Sequence, residues 1–117
     1  MRKPPVHRSF FNAFHGIFLM MKWERNFQIE MAAFVINVFL IFYLQLKTGD
    51  AVLILTVSFG VLAAEIFNTA IEKICDLIHP EFDERIRFIK DVSAGAVLLM
   101  AIVSVAVGVF VYWKYIF

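Results

Sequence analysis

One stretch of the sequence, Glu65–Asp76, places four polar side chains on one face of an otherwise apolar helix that begins near Ala51. At about 100° per residue, the four groups fall within a stripe about 60° wide. The stripe consists of Glu65, Asn68, Glu72 and Asp76. In lipid, a charged side chain costs on the order of 2.5–3.5 kcal/mol or more unless it is paired. The stripe therefore predicts a binding site.

Carboxylates in this arrangement suit a hard cation. Glu72 and a second acid, Glu24, both belong to the predicted membrane interface, and two carboxylates plus phosphate oxygens are a typical Mg²⁺ environment. Lys90 and Asp91 follow at the same level and supply a positive charge. Phosphoryl transfer needs little beyond a metal, positive charge and a positioned hydroxyl. The residues therefore favour phosphoryl transfer.

Several other site classes are excluded by the sequence. Neither Gly-x-x-x-x-Gly-Lys-Ser/Thr nor Gly-x-Gly-x-x-Gly occurs, and the 5 glycines are scattered, which argues against a P-loop or a protein-kinase-type nucleotide site. His-Glu-x-x-His is also absent. The single cysteine, Cys75, rules out an internal disulfide and a cysteine-based zinc site.

The composition indicates an integral membrane protein of one domain, residues 1–117. Hydrophobic residues make up 62% of the chain, against about 45–50% in soluble domains. No nucleic-acid partner is expected. We predict an all-α protein with an amphipathic surface helix over about 6–22 and membrane spans over about 29–47, 51–75 and 92–114. A polar hinge at 23–30, a tight turn at 47–50 and a charged loop at 76–91 containing Pro80 would connect them.

The distribution of Lys and Arg predicts the orientation. Nine basic residues precede the first span or lie in or near the second loop: Arg2, Lys3, Arg8, Lys22, Arg25, Lys73, Arg85, Arg87 and Lys90. The positive-inside bias then places the N-terminus and the second loop in the cytoplasm. From Ala51, Glu65 lies about 21 Å along the helix and Glu72 about 31 Å. A stripe that runs from lipid-headgroup depth to cytoplasmic water suits a reaction between a soluble reagent and a lipid.

These residues carry a family resemblance. Glu65-x-x-Asn68-Thr-Ala-Ile-Glu72-x-x-x-Asp76, followed by Lys90-Asp-x-x-Ala-Gly-Ala-Val97, resembles the prokaryotic diacylglycerol kinase/undecaprenol kinase family of small membrane lipid kinases. The resemblance covers nearly the whole chain. It implies a homotrimer in the bacterial cytoplasmic membrane, active sites built between neighbouring protomers, and Mg·ATP as phosphoryl donor. The Ala-Gly-Ala-Val segment resembles the undecaprenol-phosphorylating branch more than the diacylglycerol branch.

The resemblance also implies roles for individual residues. Glu65 would be the general base, or a positioning group, and would contact the lipid substrate together with Asn68 and Glu30. Glu24 and Glu72 would hold the metal and contact the nucleotide. The remaining nucleotide contacts would come from Asp76, Lys90, Asp91 and Arg8. Asn12, like Arg8, is only the nearest match to the N-terminal nucleotide contacts of the family.

Other interpretations fit parts of the pattern. A small proton-coupled transporter would use a lone intramembrane acid such as Glu65, but it would place that acid near mid-membrane. A non-enzymatic membrane subunit would tolerate leucine in the stripe. Lys90 could instead form a stabilising ion pair, for example with Glu72, and Asn68 could join helices. The segment 93–96 is predicted to pack helices closely without a chemical role, and Asn37 and Cys75 to be packing residues.

Overall fold

The computed structural model describes residues 2–117, which form four helices. Helix α1 spans Val6–Trp23, α2 Arg25–Tyr43, α3 Thr48–Ile78 and α4 Glu84–Ile116. Helices α2, α3 and α4 are each long and apolar enough to cross a membrane. The prediction of an all-α membrane protein with an N-terminal helix and three spanning helices is confirmed at this level.

Helix α2 lies four residues earlier than the predicted span, because the polar hinge is almost entirely helical. Glu24 alone separates α1 from α2. The Gln28 side chain donates a hydrogen bond to the Met21 carbonyl, at 2.9 Å, and thereby joins the first turn of α2 to the end of α1. At the other end, Gln45 has a positive φ of 53°, a conformation that no helix continues through.

The predicted charged loop is much shorter in the structure. Only residues 79–83, around Pro80, lie outside α3 and α4. Asp83 caps the N-terminus of α4 by accepting a hydrogen bond from the Arg85 backbone N–H, at 2.8 Å. The charged residues that follow therefore form the first turns of α4. At 31 and 33 residues, α3 and α4 are about 46 and 50 Å long and exceed a core of about 30 Å.

Helix α3 is the central element of the bundle. It packs along α4 on one side and α2 on the other, and α1 packs against α2. Met20, Phe27 and Leu62 form a buried cluster that joins α1, α2 and α3 near the level of the polar stripe. The end of α1 is thereby held beside the stripe.

The opposite end of the bundle is closed by a set of polar contacts that we call the terminal clasp, formed by Lys47, Asp50, Lys114 and Tyr115. The Asp50 carboxylate accepts hydrogen bonds from the Tyr115 hydroxyl, at 2.7 Å, and from Lys114 Nζ, at 3.0 Å. The Lys47 backbone N–H donates to the Tyr115 hydroxyl. The clasp thus ties the start of α3 to the end of α4.

Asn37, predicted to be a packing residue, has a hydrogen-bond partner. The Tyr112 hydroxyl donates to Asn37 Oδ1 at 2.7 Å, which links α4 to α2. Both groups lie on apolar helices, and lipid cannot donate a hydrogen bond. The Tyr112 hydroxyl therefore supplies the donor that the Asn37 amide oxygen needs.

Replacing Tyr112 by Phe should destabilise the bundle by about 0.6–1.7 kcal/mol, the range typical of hydrogen bonds between membrane helices. Reversible unfolding in mixed micelles of increasing dodecyl sulfate content measures the change. Tyr43→Phe is the matched control, because the exposed Tyr43 ring stacks on Phe39 and would keep that contact. Equal stability of the two variants would contradict this expectation.

The cap of α4 predicts a pH dependence of stability. Hydrogen bonds from the Arg85 side chain and backbone hold the pKa of the Asp83 carboxyl well below its usual value. A depressed folded-state pKa means that the stabilisation is present above about pH 4 and is lost as the pH falls toward the folded value. Between pH 7 and pH 3, the thermal midpoint of the wild type should fall further than that of Asp83→Asn, which keeps a capping group without the charge. Circular dichroism measures both midpoints, and parallel pH profiles would contradict the assignment.

Candidate active site

The polar stripe is graded in exposure along α3. Glu65 is buried, with 6% of its surface exposed. Asn68 and Glu72 are half-buried, and Asp76 is exposed. The four groups therefore form a path from the interior of the bundle to its surface, as the helical spacing predicted.

A chain of hydrogen bonds crosses from α4 to the middle of the stripe. The Ser93 hydroxyl donates to Asn68 Oδ1 at 2.8 Å. The Asn68 amide Nδ2 in turn donates to Glu72 Oε1 at 3.1 Å. Ser93 was predicted only to pack helices closely, without a chemical role. Its position three residues after Lys90, on the same face of α4, is a signal that could have identified it.

Lys90 pairs with Asp76 rather than with Glu72. Its Nζ lies 2.7 Å from Asp76 Oδ1, and both side chains are partly exposed. The ion pair with Glu72 that the sequence suggested as an alternative is not formed among the described residues. Asp91 pairs instead with Arg87 on its own helix, at 3.2 Å. Within residues 2–117, no hydrogen bond or ion pair joins Asp91 to the stripe.

Glu24 reaches the stripe from the junction of α1 and α2. Its Oε1 lies 3.9 Å from Nζ of Lys73, the residue that follows Glu72. The Glu24 side chain is 31% exposed and that of Lys73 is 70% exposed. The contact is long and solvated, so it contributes little to stability. Lys73 was not predicted to be a site residue, although its position beside Glu72 marks it as a cation near the acids.

Four acids converge on this region. Glu24, Glu30 and Glu72 are the charges that act on the Glu65 carboxyl. Among the described residues, no three acidic, histidine or cysteine groups come close enough to hold a metal ion. A hard cation at Glu24 and Glu72 would thus complete its shell with other oxygens, such as water or phosphate, which is the usual manner of Mg²⁺. Two carboxylates are the type of protein ligand that such an ion accepts.

Arg8 and Asn12 lie apart from the acids. With His7 and Phe11 they line a surface depression of about 500 Å³ on α1. None of the stripe residues borders this depression, so a single chain does not bring Arg8 to the other predicted nucleotide contacts.

An apolar groove lies between α1, α2 and α3, and its α3 wall is formed by residues close in sequence to Glu65. Its volume is about 300 Å³. Leu62 and Ile66, one turn before and one residue after Glu65, form part of its wall. The full lining is Ile17, Phe27, Met31, Phe59, Leu62, Ala63 and Ile66. Glu65 itself is not one of the lining residues, but the groove offers a surface close to it in sequence that an aliphatic chain can occupy.

Comparison with known proteins decides the family. A sequence model described as prokaryotic diacylglycerol kinase matches residues 11–112, which include the whole stripe and its partners on α4. The chain belongs to the prokaryotic diacylglycerol kinase family. The resemblance seen in the sequence is confirmed, and the chain is a membrane lipid kinase.

Two curated relatives of this kinase cover most of its length. An undecaprenol kinase of Bacillus subtilis (strain 168) is 32% identical over 105 residues, which are 90% of this chain and 85% of the relative. A diacylglycerol kinase of Synechocystis sp. (strain ATCC 27184 / PCC 6803 / Kazusa) is 34% identical over 106 residues, which are 90% of this chain and 61% of the relative.

Exchanging the charges of Lys90 and Asp76 tests whether their ion pair only stabilises the fold or also serves the kinase reaction. We expect Asp76→Lys and Lys90→Asp each to lower the thermal midpoint slightly, and the double exchange to restore it, because opposite charges face each other again. Kinase activity should stay low in the double exchange, since a phosphate needs the positive charge on α4. Thermal unfolding and phosphate transfer are measured on all four proteins. Full recovery of activity would assign the pair a structural role alone.

Proposed function

We propose that this kinase transfers the γ-phosphoryl group of Mg·ATP to the hydroxyl of a membrane lipid alcohol, with undecaprenol favoured over diacylglycerol. The observation that carries the proposal is the graded stripe on α3, with buried Glu65 at one end and exposed Asp76 at the other. Such a path brings a soluble phosphoryl donor and a lipid hydroxyl to one row of side chains.

Glu65 is the residue proposed to face the lipid hydroxyl. Its carboxyl is buried, and residues within three positions of it on α3 line the apolar groove, where the aliphatic chain of a lipid could lie. The carboxylate would accept the hydroxyl proton, or orient the hydroxyl for attack on the phosphorus. Asn68 and Glu30 are proposed to complete the contacts to the lipid headgroup.

Glu24 and Glu72 are proposed to hold Mg²⁺. When bound, the ion would neutralise the charge on the phosphate oxygens. Glu72 has the free oxygen Oε2 for this task, because within residues 2–117 its only hydrogen bond is on Oε1. Among the same residues, the Glu24 side chain makes only the long contact to Lys73, which a bound ion would replace.

Lys90 and Asp76 are proposed to contact the nucleotide. Their ion pair lies at the exposed end of the stripe, where a soluble nucleotide has access. Asp91 and Arg8 are proposed to contact the same nucleotide. Because one chain leaves Arg8 far from the stripe, its role requires an active site shared between neighbours. A homotrimer is proposed for this reason, and exposed apolar residues such as Phe39, Leu99 and Val105 give each chain surface for neighbours or lipid.

The membrane orientation and the lipid preference are part of the same proposal. The basic residues at the N-terminus and around the 79–83 loop favour a cytoplasmic location for the exposed end of the stripe, in a bacterial inner membrane. Undecaprenol is favoured by the Ala-Gly-Ala-Val segment at 94–97 and by the relative named undecaprenol kinase.

The test is transfer of labelled γ-phosphate from Mg·ATP to undecaprenol and, in parallel, to diacylglycerol in mixed micelles. Label should enter undecaprenol faster. Glu65→Gln should reduce the rate by about 10²–10⁴-fold, the usual contribution of a positioned general base. Glu81→Gln, the same change at an exposed acid in the 79–83 loop, should leave the rate unchanged.

Three outcomes would count against parts of the proposal. Faster labelling of diacylglycerol would reverse the substrate preference. Equal rates for Glu65→Gln and Glu81→Gln would remove Glu65 from the chemistry. No label in either lipid, from folded and trimeric protein, would overturn the proposed reaction.

A further inference from the structure

Two buried serines of the bundle use their hydroxyls in different ways. Ser58 and Ser93 are each 8% exposed. The Ser58 hydroxyl donates to the Ile54 carbonyl one turn earlier in its own helix, at 2.7 Å, the usual bond of a serine within a helix. The Ser93 hydroxyl instead leaves its own helix and donates to Asn68 on α3. The Ser93 hydroxyl thus joins two helices at the stripe, whereas the Ser58 hydroxyl bonds within its own helix.

The donor and the acceptor in the Ser93–Asn68 and Asn68–Glu72 hydrogen bonds are set by the Glu72 carboxylate. An ionised Glu72 carboxylate can only accept, so the Asn68 group that faces it must be the Nδ2 amide. The Asn68 oxygen is then turned toward α4, where it accepts from Ser93. The half-buried amide is therefore held at both ends, and it presents its N–H to Glu72 in one orientation.

We propose that Ser93 is a positioning residue for the metal site: through Asn68 it fixes the Glu72 carboxylate so that Oε2 faces the cation. The inference deepens the proposed function and rests on it. Carboxylates that bind a metal are themselves hydrogen-bonded, and loss of such an outer partner typically weakens metal binding 10–100-fold. In this role Ser93 would act only by holding Asn68, without its own contact to the ion, the nucleotide or the lipid.

Binding of Mn²⁺ to the full-length protein in detergent micelles tests this role without catalysis. The ion is titrated in the presence of a non-hydrolysable ATP analogue, and free Mn²⁺ is measured by electron paramagnetic resonance. Ser93→Ala should raise the dissociation constant about tenfold. Ser58→Ala is the matched control, because it removes an equally buried serine hydroxyl, and it should leave the constant unchanged.

A double-mutant cycle tests whether Ser93 acts through Asn68. Asn68→Ala should itself weaken Mn²⁺ binding, and adding Ser93→Ala to it should produce no further loss, because the residue that transmits the effect is gone. In steady-state assays, Ser93→Ala should raise the metal concentration that gives half-maximal rate by a larger factor than it raises KM for the lipid, to which Asn68 is only one of the proposed contacts. A purely structural role would affect thermal stability without this separation.

The outcomes separate the inference from the proposed function. If wild type binds Mn²⁺ and Ser93→Ala binds it equally well, or if Ser58→Ala weakens binding to the same extent, the positioning role is overturned while the proposed kinase site stands. If wild type binds no Mn²⁺ with the analogue, both are overturned. Should Ser93→Ala fail to fold, the isosteric pair Ser93→Thr and Ser93→Val replaces it, and only Val should weaken binding.

Discussion

Burial of the Glu65 carboxyl inside an apolar bundle is the constraint on which the rest of the structure depends. Lipid offers no hydrogen bonds, so polar groups at this depth must be covered and satisfied by protein. Helix α3 therefore occupies the centre, with α4 on one side and α2 on the other. The buried cluster of Met20, Phe27 and Leu62 brings the end of α1 to the same place. Each element covers the stripe or supplies a residue to it.

The ion pairs that join α3 to α4 lie near the two ends of these helices, and the two ends differ in kind. At the clasp end, Asp50 has its partners, Tyr115 and Lys114, within the chain. At the stripe end, among residues 2–117, Glu72 retains an oxygen without a hydrogen bond and the Glu24 side chain has one long contact. The single acid of the clasp, Asp50, joins α3 to α4, whereas the acids of the stripe keep capacity for a ligand. The candidate site therefore differs from a structural cluster in how many of its carboxylate oxygens already have partners, more clearly than in its number of charges.

Periodicity in the sequence was enough to predict the helices and the stripe, since both depend on spacing along a single helix. The helix ends were less predictable. The start of α2 depends on Gln28 reaching the Met21 carbonyl, and the start of α4 depends on the Asp83 cap. The partners of Lys90, Ser93 and Lys73 could not be derived from spacing either, because they depend on how far one helix is shifted along another. The motif that revealed the family contained Asn68 and Glu72, but not the serine that holds them in place.

The α3–α4 pair is joined at both ends, by the 79–83 loop at one and by the clasp at the other. Between these ends the Lys90–Asp76 and Ser93–Asn68 bonds fix the same alignment. A single residue inserted in α4 between Ser93 and Lys114 would turn one end by about 100° and move it about 1.5 Å relative to the other. The clasp and the stripe could then not both keep their partners. This segment can therefore change its side chains through evolution far more easily than its length.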